Sequence, residues 1–117
     1  MVDINRTANE ILSPIKNDGV SLCYQYPESF EKLPAVSFFN LLTAEEFRAD
    51  NAEVSQLARL QIDIWAQKKT QPGELAIKIN ELMQADGWIR ELDRDLPRGE
   101  NHVYHRTMRF AKEIYNE

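Results

Sequence analysis

The chain has 117 residues, 43% hydrophobic and 28% charged, which suits a single domain with one core and argues against both a second domain and wholesale disorder. Its 14 basic and 19 acidic residues leave a net charge of −5, which repels a phosphate backbone at long range and argues against a general nucleic-acid or anionic-membrane binder. Cys23 stands alone, so no intramolecular disulfide can form. With no signal-peptide pattern at the start and no apolar run near the roughly 18 residues of a membrane span, a cytoplasmic, non-membrane protein is expected.

Residues 3–19 predict a first helix. Ile4, Ala8, Ile11, Leu12 and Ile15 recur at helical spacing, Asp3 can cap the start, and Asn17-Asp18-Gly19 supplies a stop. Pro14 has no amide and its ring meets the carbonyl of Glu10, so the helix kinks there or ends near Ser13. Ser21 to Tyr26 form a short β-favouring run stopped by Pro27, and residues 28–33 read as a loop ending in Leu33-Pro34. The nearly continuous apolar run from Val36 to Leu42 predicts a strand with both faces covered.

Residues 43–55 are polar, with Asp50-Asn51 suited to a turn, and residues 57–66 alternate. Leu60, Ile62, Ile64 and Ala66 point one way and Arg59, Gln61, Asp63 and Trp65 the other, which predicts a half-buried strand closing a long hairpin. Gln71-Pro72-Gly73-Glu74 opens a second helix whose buried stripe is Leu75, Ile79, Leu82 and Met83, ended by Asp86-Gly87. A strand over 88–96, a turn over 97–101 and a long strand over 102–115 complete the chain. On the last strand Tyr104, Met108, Phe110 and Ile114 share a face with Arg106 and Lys112. The expected fold is a single α+β domain over 1–117, of order α-β-β-β-α-β-β, with a mostly antiparallel sheet and two helices packed on one face.

The chemistry-bearing residues point away from catalysis. His102 and His105 would face opposite sides of a strand and lack companion ligands, so no metal site is expected, and no cofactor either, because the four scattered glycines write no phosphate loop. Nothing local activates Cys23, which reads as a small hydrophobe in a strand. Glu91, Asp93 and Asp95 share a strand face with Arg90 and Arg94 opposite, a pattern read as a solvated edge that discourages strand aggregation. A hydrolase using Asp93, Asp95 and His102 is the remote catalytic alternative. Trp65, on the polar face, is either shielded by a helix or exposed for a partner, and the aromatics Phe38, Phe39 and Phe47 raise the same question. The candidate protein-interface residues are Phe39, Phe47, Trp65 and Tyr104.

The order of these segments carries a resemblance. The first amphipathic helix is followed by Leu33-Pro34-Ala35-Val36-Ser37-Phe38 and by the hairpin return Leu60-Gln61-Ile62-Asp63-Ile64-Trp65-Ala66. Then come the helix from Leu75 to Gly87-Trp88 and an ending in Tyr104-His105-Arg106-Thr107-Met108-Arg109-Phe110. Over nearly its whole length the chain resembles the small tail-terminator, tail-completion or head–tail joining proteins of long-tailed bacteriophages and prophages. The resemblance implies a non-enzymatic structural protein that forms a homo-oligomeric ring, often a hexamer, between the tail tube and the head connector. It also implies assembly in the host cytoplasm and residence in the virion tail, with no specific nucleic-acid binding. The family brings no catalytic set to place on this chain, and residues 43–55 depart from its pattern in their acidity. The alternative is a monomeric adaptor or inhibitor module that binds one partner through a sheet edge or an aromatic patch.

Overall fold

The computed structural model describes residues 2–47, 53–99 and 101–115. Helix α1 (Ile4–Leu12) is capped by the Asp3 carboxylate, which accepts from the Arg6 amide, and Pro14 stands where the chain tightens into a 3-10 helix, Ser13–Asp18. Gly19 closes that turn at φ 77°, a left-handed conformation that glycine adopts without strain. Strand β1 (Ser21–Tyr24) follows, then β2 (Ala35–Phe47), β3 (Glu53–Ala66), helix α2 (Gln71–Ala85), β4 (Ile89–Leu96) and β5 (Tyr104–Tyr115). The expected α+β order is present, with the short 3-10 segment as an addition.

The five strands form one sheet in the order β1-β2-β3-β5-β4. The β1–β2 pair is parallel and the other three pairs are antiparallel. The β2–β3 hairpin is longer than the sequence suggests, because the ladder runs from Ala35 opposite Trp65 out to Phe47 opposite Glu53. Polar residues of the 43–55 stretch therefore continue the strands, while the Asp50-Asn51 turn lies outside the described residues.

Alternation on β3 fixes the layers. Leu60, Ile62 and Ile64 point to the helix side, where Val36 and Phe38 of β2, Met108 and Phe110 of β5, Ala8 and Leu12 of α1, and Ile79 and Met83 of α2 bury together with Trp88. Both helices lie on this face, and α2 touches β3, β4 and β5. Trp88 follows the positive-φ Gly87 and donates its indole N–H to Asp86 at 3.1 Å, so the end of α2 is plugged into the core before β4 begins. The apolar strand over Val36 to Leu42 is covered on both faces only in its first half: Val36, Ser37 and Phe38 are buried, whereas Leu41 and Leu42 are exposed.

Truncating Ile62→Ala, at a fully buried position in the middle of the central strand, is expected to cost about 2–5 kcal/mol, read as a lowered urea midpoint with an unchanged slope. A loss within the range of surface substitutions would show that the helix layer does not close over β3.

Candidate functional site

The sheet face opposite the helices carries most of the remaining chemistry. Gln61, Asp63 and Trp65 alternate along β3 on that side, with Ser37 and Phe39 beside them on β2 and His105, Thr107 and Arg109 on β5. Leu92, Arg94 and Leu96 of β4 and Gln25 and Tyr26 of the loop after β1 complete the rim of an open depression of about 580 Å³.

Trp65 forms one wall. It is only 7% exposed, and what covers it is the loop between β1 and β2 rather than a helix or a partner. Tyr26 meets it edge-on at 5.1 Å, Phe30 lies 5.3 Å away, and Leu33, Ala35 and Val103 pack around them. The indole N–H donates to the Ser37 hydroxyl at 3.0 Å, so its one polar group is satisfied. On its other side Trp65 stacks flat on the His105 ring, with centroids 3.8 Å apart.

His105 is held twice, since its Nε2 is 2.8 Å from a carboxylate oxygen of Asp63. Gln61 donates to the other Asp63 oxygen at 3.1 Å, and Arg109 donates to the Gln61 carbonyl oxygen at 3.3 Å. A chain of polar contacts thus runs from solvent-facing Arg109 to the buried aromatic cluster. Burial of Asp63 would by itself raise its carboxyl, but the hydrogen bonds from His105 and Gln61 and the charge of His105 outweigh that and hold it below the ordinary carboxylate range. The carboxylate is ionised and fixed, and it orients the imidazole.

Of the candidate interface residues, Phe39 and Trp65 lie on this face, Phe39 half-buried at the depression. Tyr104 lies opposite Ala66, on the helix side, with the Arg98 guanidinium 4.3 Å above its ring. Phe47 ends β2, and its side chain lies outside the described residues. The structure therefore brings two of the four together. Exposed apolar side chains on this face include Tyr26, Leu42, Ile89 and, at the far end of β5, Tyr115.

The acidic strand differs from its sequence reading. Between Arg90 and Leu92 a β-bulge gives β4 one extra residue, Glu91. Glu91 consequently turns to the open face, where Arg59 donates to it at 3.0 Å, while Asp93 and Asp95 stay on the helix side. Arg90 and Arg94, read as sharing a face, are likewise split. Asp93 accepts two bonds from Arg106 at 2.7 and 2.8 Å, and Asp95 lies 3.7 Å from the same guanidinium. Those bonds keep the Asp93 carboxyl below its usual range. His102 precedes β5 at φ 58°, outside the strand in which it was expected.

Cys23 is half-buried, and desolvation followed by the nearby Glu28 raises its thiol, which disfavours the reactive thiolate. Among the described residues no cluster of three or more His, Cys, Asp or Glu could hold a metal ion, and no helix is long and apolar enough to cross a membrane. The Asp63–His105 pair escaped the sequence reading because it depends on β3 and β5 being neighbours across an intervening helix and strand. The only sequence signal was that both residues occupy polar-side positions of alternating strands.

No protein-family model matches the sequence, and no curated protein matches it as a relative.

The lowered carboxyl of Asp63 gives a pH-dependent contribution to stability. It is complete above the unfolded value of about 4 and is lost as pH falls through the lower folded value. Asp63→Asn is expected to cost about 1–3 kcal/mol at pH 7 and to shallow the acid limb of stability against pH, leaving the part due to Asp93. Urea unfolding between pH 7 and pH 3 checks this, and an unaltered limb in the variant would contradict it.

Proposed function

We propose that this chain is a structural tail protein of a long-tailed bacteriophage or prophage, a tail terminator or head–tail joining component, that acts as a homo-oligomeric ring on the tail tube. Support comes first from the order and spacing of the segments that resemble that family, which fold into α-β-β-β-α-β-β with a mostly antiparallel sheet.

The observation that carries the association role is the uncovered sheet face. It has the footprint of a recognition surface: the polar network around Asp63 beside half-buried Phe39, Leu92 and Leu96 and exposed Tyr26, Leu42 and Ile89. The reactive groups near it are engaged structurally. Asp63 holds His105, and Ser37 accepts from Trp65. Binding here requires little rearrangement, because Trp65, His105 and Asp63 are already fixed. The net charge of −5 suits a lumen through which DNA slides without sticking. The long, projecting β2–β3 hairpin offers a second contact element, and the molecule is correspondingly elongated at 53 × 27 × 22 Å.

Light scattering over a concentration series, with and without tail tube protein, tests the reading. A ring in either arm is the expected outcome. A chain that stays monomeric and never joins tubes would rule the role out. Replacing Phe39 with Asp is expected to weaken assembly while leaving the unfolding free energy from urea titration within about 1 kcal/mol of the wild type, since Phe39 is only half-buried.

A further inference from the structure

We propose that the outer edge of β4 is a self-complementary contact by which two copies of this chain pair antiparallel about a two-fold axis. The proposal does not rest on the phage-tail reading. A two-fold contact closes on itself, so it makes a dimer and is distinct from any contact that closes a ring.

β4 is the terminal strand of the sheet, so the backbone groups on its outer side have no strand partner among the described residues. With Glu91 set aside as the bulge residue, Ile89, Arg90, Leu92, Asp93, Arg94, Asp95 and Leu96 alternate strictly between the two faces. In an antiparallel pairing about a two-fold axis at Asp93, directly opposed residues share a face. Ile89 then meets Leu96 of the second copy, and Arg90 meets Asp95 of the second copy. Arg94 falls opposite Leu92 of the second copy, beside its bulged Glu91. Each of these contacts occurs twice.

The one like-charge meeting, Asp93 with its own copy, is already neutralised: each Asp93 carries a bidentate Arg106. Counting Arg106, the edge bears three cations and three anions, in a chain whose net charge of −5 otherwise opposes self-association. Charge also disfavours one neighbouring register. Sliding the second copy by two residues toward its Leu96 end puts Asp93 opposite Asp95 and Arg94 opposite Arg94, which is repulsive. The charges that blunt this edge against unrelated strands are therefore met by a second copy in the register that makes two Arg90–Asp95 pairs. Ile89, 70% exposed, is covered by Leu96 of the second copy in that arrangement.

Sedimentation velocity of the full chain, in a series reaching about 1 mM, tests the pairing. A reversible dimer that weakens with added salt is expected. Arg90→Asp and Asp95→Arg should each weaken it roughly tenfold, because each places two like-charge pairs across the axis. The double variant Arg90→Asp/Asp95→Arg should regain the wild-type constant. Both side chains are exposed, that of Asp95 by 75%, and circular dichroism with urea midpoints verifies that the variants fold. A chain that is monomeric throughout the series overturns the proposal, as does self-association that survives both single swaps or is not restored in the double variant. Ring assembly on tail tubes is a separate readout, so its failure and the failure of this contact are distinguishable.

Discussion

Strand β3 has to satisfy two unlike environments at once, and the rest of the molecule is arranged around that requirement. It is hydrogen-bonded on both sides over most of its length, to β2 and to β5. Its even-numbered residues from Leu60 to Ala66 are fully buried beneath the helices. The odd-numbered Asp63 and Trp65 are also nearly buried, although no helix lies above them. Burying a carboxylate and an indole on an open sheet face is tolerable only if each polar atom finds a partner. Ser37, His105 and Gln61 supply those partners, and the loop carrying Tyr26 and Phe30 supplies the apolar cover. The central strand therefore builds the core and the candidate site from the same stretch of chain.

Electrostatics on the other long pair follows a similar logic with a different geometry. β4 is short, charged and terminal, and three acids within five residues would repel one another if they lay together. The bulge removes Glu91 to Arg59 on the open face, and Arg106 of β5 takes Asp93 with Asp95 close by. A single extra residue thus converts an acidic run into two separated ion pairs. Both pairs are partly exposed, so each is worth little as raw stability. Their value lies in fixing where β4 sits against β5, because the bidentate geometry of Arg106 admits one register.

Much of the secondary structure was legible in the sequence because it is written in local periodicity. The 3.6-residue spacing of Leu75, Ile79 and Met83, the alternation from Leu60 to Ala66, and the break at Pro14 all reported correctly on α2, β3 and the end of α1. Longer-range features were not legible. The bulge at Glu91 has no turn residue to announce it and exists because Arg59 and Arg106 stand on opposite faces of neighbouring strands. The polar 43–55 stretch looked like a loop because backbone pairing, which polar side chains do not announce, extends the strands there. For Trp65 the sequence offered a helix or a partner as cover, and the actual cover is a loop whose aromatics had no periodic signal. The site was half legible: Phe39 and Trp65 were singled out, but the Asp63–His105 contact follows from strand order, which residue spacing does not encode.

Edges are the remaining structural problem of an open five-stranded sheet, and each is handled by a different means. β1 is four residues long, too short to template a long foreign strand. The side of β2 that β1 leaves free past Phe38 is met by Asn5 of α1, whose side-chain oxygen accepts from the Asn40 amide at 2.8 Å, and then by the irregularity between Asn40 and Leu42. Beyond that point Leu41 and Leu42 are exposed on a strand still paired to β3. Among the described residues β4 has no strand along its outer edge, which is guarded by charge. Charge is a weaker barrier than a missing amide, because an ordered set of opposite charges satisfies it where a capped backbone group leaves nothing to pair. The backbone and apolar surface left without cover among the described residues are consequently found on β4, the far half of the hairpin and the open face between them, rather than on β1 and the near half of β2.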